Sequence, residues 1–221
     1  MREILDLLAR PILETILMVI SSTAIAAALG GAAGLGLYYM SNERLSEHAR
    51  QLSLVKKVAD RAINVLRSFP FIILMVLVLP LSRLIVGTSL GTVAAIVPLS
   101  IAASPFIARI VEASLSEVDA GIMDAAIASG ASKRRILFAI LVPEALPSLV
   151  SGLTLTMISL VGYSAMAGVI GGGGLGDLAI RYGYQRFRMD IMIASVLAII
   201  VFVEGIQMSG NAIARGIKKK R

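Results

Sequence analysis

Few residues in this chain have the type and spacing to do chemistry, and most of the obvious chemistries are excluded. There is no cysteine, so thiol nucleophiles, disulfides and Cys-based zinc sites are ruled out. His48 is the only histidine. It cannot build a multi-His metal site, and in its charged surroundings it reads as a solvated loop residue. No metal and no cofactor are expected. Gly171, Gly173 and Gly176 satisfy G-x-G-x-x-G, but that pattern holds a dinucleotide only between a strand and a helix of a βαβ unit. Here it follows a long apolar run, where close backbone approach and freedom to move are the better reading. A G-x-x-x-x-G-K-[ST] phosphate loop is absent, so any ATP must be hydrolysed elsewhere, and the chain reads as a non-enzyme. Two features remain. One is Asp124-Ala125-Ala126, followed by Gly130 and then Ile140 to Pro143; the other is Glu204, a carboxylate inside an apolar stretch.

The elements that carry these residues follow from composition. Of 221 residues 57% are hydrophobic and 16% charged, with a mean hydropathy of +0.86. Soluble domains are nearer a quarter charged, so the bilayer is the expected solvent. A spanning helix needs about 20 mostly apolar residues. Runs of that kind predict an all-α, polytopic membrane protein with five spans, near 15–40, 62–82, 86–108, 145–170 and 191–209. The transmembrane region covers 12–209, and 210–221 forms a basic tail. Arg83 and the turn residues Gly87, Thr88 and Ser89 mark a short reversal between the second and third spans. Ala26-Ala27-Ala28 resembles a signal-peptide cleavage site. The apolar run continues through Leu35, Leu37 and Tyr38, however, which favours a span. Gly30 and Gly34 form G-x-x-x-G, a pattern that lets a second helix approach closely.

Orientation follows from Lys and Arg. Fourteen fall in the loop after the first span, in the segment between the third and fourth, and in the tail, against six on the opposite side, with Arg67 at a membrane boundary. This predicts a multi-pass membrane protein with its N-terminus outside and its C-terminus in the cytoplasm. The net charge of +7 then reflects cytoplasmic loops facing anionic lipid, and nucleic acid is not expected as a partner.

The segment between the third and fourth spans is far longer than a turn requires. Its apolar residues fall at helical spacing on either side of Gly130, which predicts two short amphipathic helices within about 113–142. Ala125 and Ala126 would leave a low surface for another protein. A pair of helices lying on anionic lipid, anchored by Lys133, Arg134 and Arg135, is the alternative.

The spacing Asp124-Ala125-Ala126, three residues, Gly130, nine residues, Ile140, one residue, Val142-Pro143 resembles the EAA loop of bacterial ABC-importer permeases. Asp124 and Val142 replace the usual Glu and Leu. The resemblance implies that Asp124, Ala125, Ala126 and Gly130 dock on an ATP-binding subunit. It also implies two copies of that subunit, a second copy of this chain, and an extracytoplasmic substrate-binding protein. The stretch from Gly162 to Ala179, continuing through Arg181-Tyr182-Gly183-Tyr184-Gln185-Arg186-Phe187, is similar to the methionine-importer permeases. Osmoprotectant and phosphonate permeases share its glycine-rich part, so another small substrate is the alternative, and a channel or scaffold a further one. Met157, Tyr163 and Met166, on the span following the loop, are candidates to line a pathway. Glu204 would either line that pathway or pair with Asn211 or Arg215.

Overall fold

The computed structural model describes residues 2–46 and 51–219; His48, Lys220 and Arg221 lie outside the described residues. Helix α1 (Arg2–Ser41) is followed by α2 (Ser53–Ser68), α3 (Phe71–Val86), α4 (Thr92–Ser116) and α5 (Ala120–Ala128). Then come α6 (Lys133–Arg135), α7 (Val142–Val169), α8 (Gly174–Leu178) and α9 (Met189–Lys219). Among the described residues there is no strand. The fold is an all-α, polytopic membrane bundle.

Four helices are long and apolar enough to span a bilayer alone, and the pair α2–α3 makes a fifth if taken as one broken span. The span expected over 62–82 is not one continuous helix. α2 and α3 are bent by 108° relative to each other, with Phe69 extended at φ −69°, ψ 131°. The cause is Pro70: its ring clashes with a helical conformation at the preceding residue, and it has no N–H for the ladder. The turn after Arg83 appears as expected, with Gly87 at φ 85° and its N–H donating to Arg83 O at 2.9 Å. The third span runs over 92–116 rather than 86–108.

α1 lies along α4, and the two glycines of the G-x-x-x-G pattern make the contact. A Cβ at Gly30 would overlap Ser104 O, and one at Gly34 would overlap Ala108 O, whereas Gly31 and Gly36 face open space. Without a hydrophobic force between helices in lipid, such close backbone approach supplies dispersion contact instead. Four hydroxyls of α4 and α7 are satisfied by i−4 carbonyls, Ser100 on Ile96, Ser104 on Ser100, Thr154 on Val150 and Thr156 on Gly152, while the buried Ser82 and Ser195 hydroxyls have no partner among the described residues. Those i−4 bonds remove the cost of unpaired donors away from water.

One buried cluster joins Met18, Leu74, Met75, Leu99 and Leu160 across α1, α3, α4 and α7. A second, at the opposite end from the glycine-rich loop, joins Tyr38, Leu115, Met123, Ala126, Ile136, Leu137 and Leu141. A third seats α8 against α1 and α9 through Leu8, Leu175, Leu178 and Ile191. On α9, Ile193, Leu197, Ile200, Val201 and Met208 are exposed, as lipid-facing or partner-facing residues must be.

Candidate functional site

The segment around Gly130 is a helix, a tight turn and a second helix. Asp119 caps α5, its Oδ1 accepting the Gly121 N–H at 2.7 Å, the usual service of an Asp at that position. At the other end Gly130 adopts φ 74°. The Gly130 N–H donates to Ile127 O (2.9 Å) and the Ala131 N–H to Ala126 O (3.1 Å). This pair of bonds is the Schellman arrangement, with glycine at the left-handed position. Ser132 then caps the next helix, its Oγ accepting the Arg135 N–H.

That next helix does not end before the membrane, which corrects the expectation of two separate short helices. α6 passes through a π-helical turn over Ile136–Leu141 directly into α7, and Lys133–Gly172 forms one 40-residue element. Pro143 has no N–H to return to the carbonyl four residues back, and a wider turn, with the Val142 N–H donating to Leu137 O, carries the chain past it.

Asp124 is paired with Arg44 at 2.6 Å, both about half exposed, which ties α5 to the end of α1. Ala125 is exposed. Ala126 is 6% exposed and packs with Met123, Leu137 and Leu141. It therefore serves as a spacer inside this chain, and the outward low surface expected of both alanines belongs to Ala125. Gly130 has open space around a would-be Cβ, so its requirement is conformational, set by positive φ rather than by a neighbour.

The glycine-rich loop at the far end of α7 is pinned on two sides. The Gly174 N–H donates to Glu14 Oε2 and the Leu175 N–H to Thr15 Oγ1, each at 2.9 Å. These two residues of α1 cap the start of α8 from outside. The Gly91 N–H donates to Gly171 O at 2.8 Å, joining the start of α4. Gly171, Gly173 and Gly174 have φ of 88°, 78° and 83°. Side chains at Gly168 or Gly176 would overlap Asp177 or Ala165. Close backbone approach explains this loop. Glu14 and Thr15 were missed in sequence, because their partners lie 160 residues away. Beyond α8, Arg181 and Arg186 lie over the Tyr182 ring, at 5.7 and 4.5 Å.

The three pathway candidates do not share a face. Tyr163 and Met166 lie about 60° apart around α7, while Met157 lies about 180° from Met166 at 100° per residue. Met157 faces an apolar cavity of about 980 Å³ against α1 and α9. Tyr163 stacks on Phe71 at 4.5 Å and lines a smaller cavity of about 300 Å³ between α2, α4 and α7. Met166 is 46% exposed. Below the small cavity a charge cluster joins α2 to α4: Arg109 pairs with Asp60 (2.7 Å) and Glu112 (2.5 Å), and Lys56 with the same two acids. Glu204 pairs with neither Asn211 nor Arg215. It is exposed, and those two residues bond instead to each other and to Gln207.

Residues 44–220 match the family described as binding-protein-dependent transport system inner membrane component. The chain belongs to that family. It is 44% identical over 212 residues to the probable D-methionine transport system permease protein MetI of Vibrio cholerae, covering 96% of this chain and 92% of that one. It is 43% identical over 170 residues to the methionine import system permease protein MetP of Bacillus subtilis, covering 77% of each. Among solved structures, an inward-facing MetNI methionine ABC transporter superposes with a TM-score of 0.91 at 39% identity, covering 98% of this chain and 99% of that chain. An amino-acid ABC transporter crystallised with histidines superposes at 0.78 with 20% identity over 97% of this chain and 96% of that one, and so shares the fold. This is a membrane component of a transport system, not an enzyme.

Proposed function

We propose that this chain is the permease subunit of an ATP-driven methionine importer in a bacterial inner membrane. The observation that carries the reading is the likeness, over nearly the whole chain, to the permease of a methionine ABC transporter. In this reading two copies of the chain enclose the pathway, two ATP-binding subunits sit on the α5 side, and an extracytoplasmic binding protein delivers cargo to the glycine-rich side. The N-terminus is outside and the C-terminus cytoplasmic, as the Lys and Arg distribution supports.

The geometry suits such coupling. α5, presenting Asp124, Ala125 and the Gly130 turn, meets the ATPase, while Ala126 holds α5 on its own bundle. Because Lys133–Gly172 is one element, displacement at the turn is carried along about 45–50 Å of helix to Tyr163 and Met166, and about 60 Å to the glycine loop. Rigid-body motion of this kind alternates access across the membrane. Glu14 and Thr15 hold the far end of the lever in one of its two positions.

The test is uptake into proteoliposomes containing this chain, its ATP-hydrolysing partner and its binding protein. Radiolabelled L- and D-methionine are each competed with unlabelled amino acids, an osmoprotectant and a phosphonate. ATP-dependent uptake of either methionine, competed best by methionine, is expected. Uptake competed only by another class of solute would move the chain to that substrate.

A further inference from the structure

Arg67 is the one cation lining the small cavity for which the described residues provide no carboxylate. Arg109, its companion on the wall, is neutralised by Asp60 and Glu112. Arg67 has only a ring beneath it, with its guanidinium carbon 5.1 Å above the centre of Phe106. Phe106 lies one turn along α4 from Arg109, so Arg67 stands at the charged end of the span, exposed to the cavity. An arginine that faces a cavity at a membrane boundary without a carboxylate is free to take an anionic group from a ligand.

The rest of the wall is selective. Thr156 and Ser159 donate their hydroxyl protons to Gly152 O and Leu155 O, which leaves oxygen lone pairs as acceptors. The Tyr163 ring is held against Phe71, and its hydroxyl has no partner among the described residues. Ala103, Ile110 and Leu160 supply apolar wall. A planar guanidinium fork matches a carboxylate through two parallel bonds, hydroxyl acceptors suit an ammonium group, and the apolar wall suits an aliphatic side chain. Arg67 lies two residues before the Phe69-Pro70 break, where α2 and α3 bend by 108°.

We propose that this cavity is a transient binding site for an amino-acid zwitterion during passage, with Arg67 receiving its carboxylate and the acceptor oxygens of Thr156 and Ser159 its ammonium group. The site rests on the importer reading and deepens it. The chain has no cysteine, so Leu155→Cys places a single thiol at the cavity wall. Inside-out vesicles carrying the permease with its ATPase partner are treated with a small maleimide, and labelling of the permease is followed with L-methionine or methioninamide present. Methionine at twice its Kd is expected to slow labelling roughly threefold, by simple occupancy. Methioninamide, which lacks the carboxylate, protects far less. Arg67→Gln cancels protection by methionine, each variant being compared with its own unliganded labelling rate, and Arg67→Lys retains part of it. Equal labelling with and without methionine overturns the site. So does equal protection by methioninamide, an arm that needs no Arg67 variant. Uptake by the Leu155→Cys parent and by the unsubstituted chain is measured alongside, in proteoliposomes that contain the ATPase partner and the binding protein. Uptake without protection refutes the Arg67 site and leaves the importer reading standing, whereas absence of uptake for every amino acid refutes both.

Discussion

At the scale of single residues, two kinds of demand operate, and they predict different mutational behaviour. Gly130 sits at φ 74° with nothing near its would-be Cβ. A left-handed conformation costs an ordinary L-residue about 1–2 kcal/mol, enough to shift a local equilibrium roughly five- to thirtyfold. Asn tolerates that region better than most residues. Gly130→Asn is therefore expected to retain most ATP-dependent uptake in vesicles, and a loss as complete as that of a β-branched substitution would contradict the conformational argument. Thr15 illustrates the other demand. Its hydroxyl satisfies the buried Leu175 N–H, and Thr15→Val leaves that donor unpaired at a cost of about 1–3 kcal/mol. Thermal melting of the purified assembly should fall accordingly, with Thr15→Ser restoring most of it. The Gly130 turn was legible in sequence because glycine before a new helical pattern has one common use. Neither the inward face of Ala126 nor the Glu14–Thr15 cap was legible. Both depend on segments that meet only in the folded bundle.

At the scale of elements, existence was easier to read than continuity. The apolar runs identified the membrane helices, but a hydropathy average is blind to one residue forced extended. The Phe69-Pro70 break therefore vanished into a predicted span at 62–82. The signal was present, since a residue before proline is biased away from the helix. The opposite error occurred at Pro143, between a coupling segment expected to close near 142 and a span expected from 145, where a π-helical turn carries one helix through. Packing of α1 on α4 offers an internally controlled test. Gly34→Val drives side-chain atoms into Ala108 and Val111, and overpacking of this kind typically costs about 1–3 kcal/mol. Gly36→Ala, two residues away and facing open space, should leave stability unchanged. Melting of the two variants in detergent compares them, and equal behaviour would remove the close-approach explanation of the G-x-x-x-G pattern.

For the molecule as a whole, the account requires the Gly130 turn and the glycine-rich loop to lie on opposite sides of the membrane. Absence of cysteine makes this measurable with single replacements. Ser89→Cys, in the reversal after α3, should react with a membrane-impermeant maleimide added to intact cells. Ser129→Cys, beside the turn, should react only after permeabilisation. The reverse pattern would invert the orientation and move the ATPase to the wrong end. The all-α membrane class was legible from composition alone, because that signal is summed over many residues, and the orientation read from Lys and Arg is what the labelling tests. The cavity at Arg67 was not readable, since it needs α2, α4 and α7 together.

The most direct measurement compares parent and Gly130→Val in proteoliposomes with the ATPase subunit, binding protein and radiolabelled methionine. ATP-dependent accumulation by the parent is expected. The variant should insert to the same level yet show little or no uptake, its turn unable to hold the left-handed conformation that joins α5 to the Lys133–Gly172 lever. Methionine uptake by Gly130→Val at the parental rate, or none by the parent, would contradict the account.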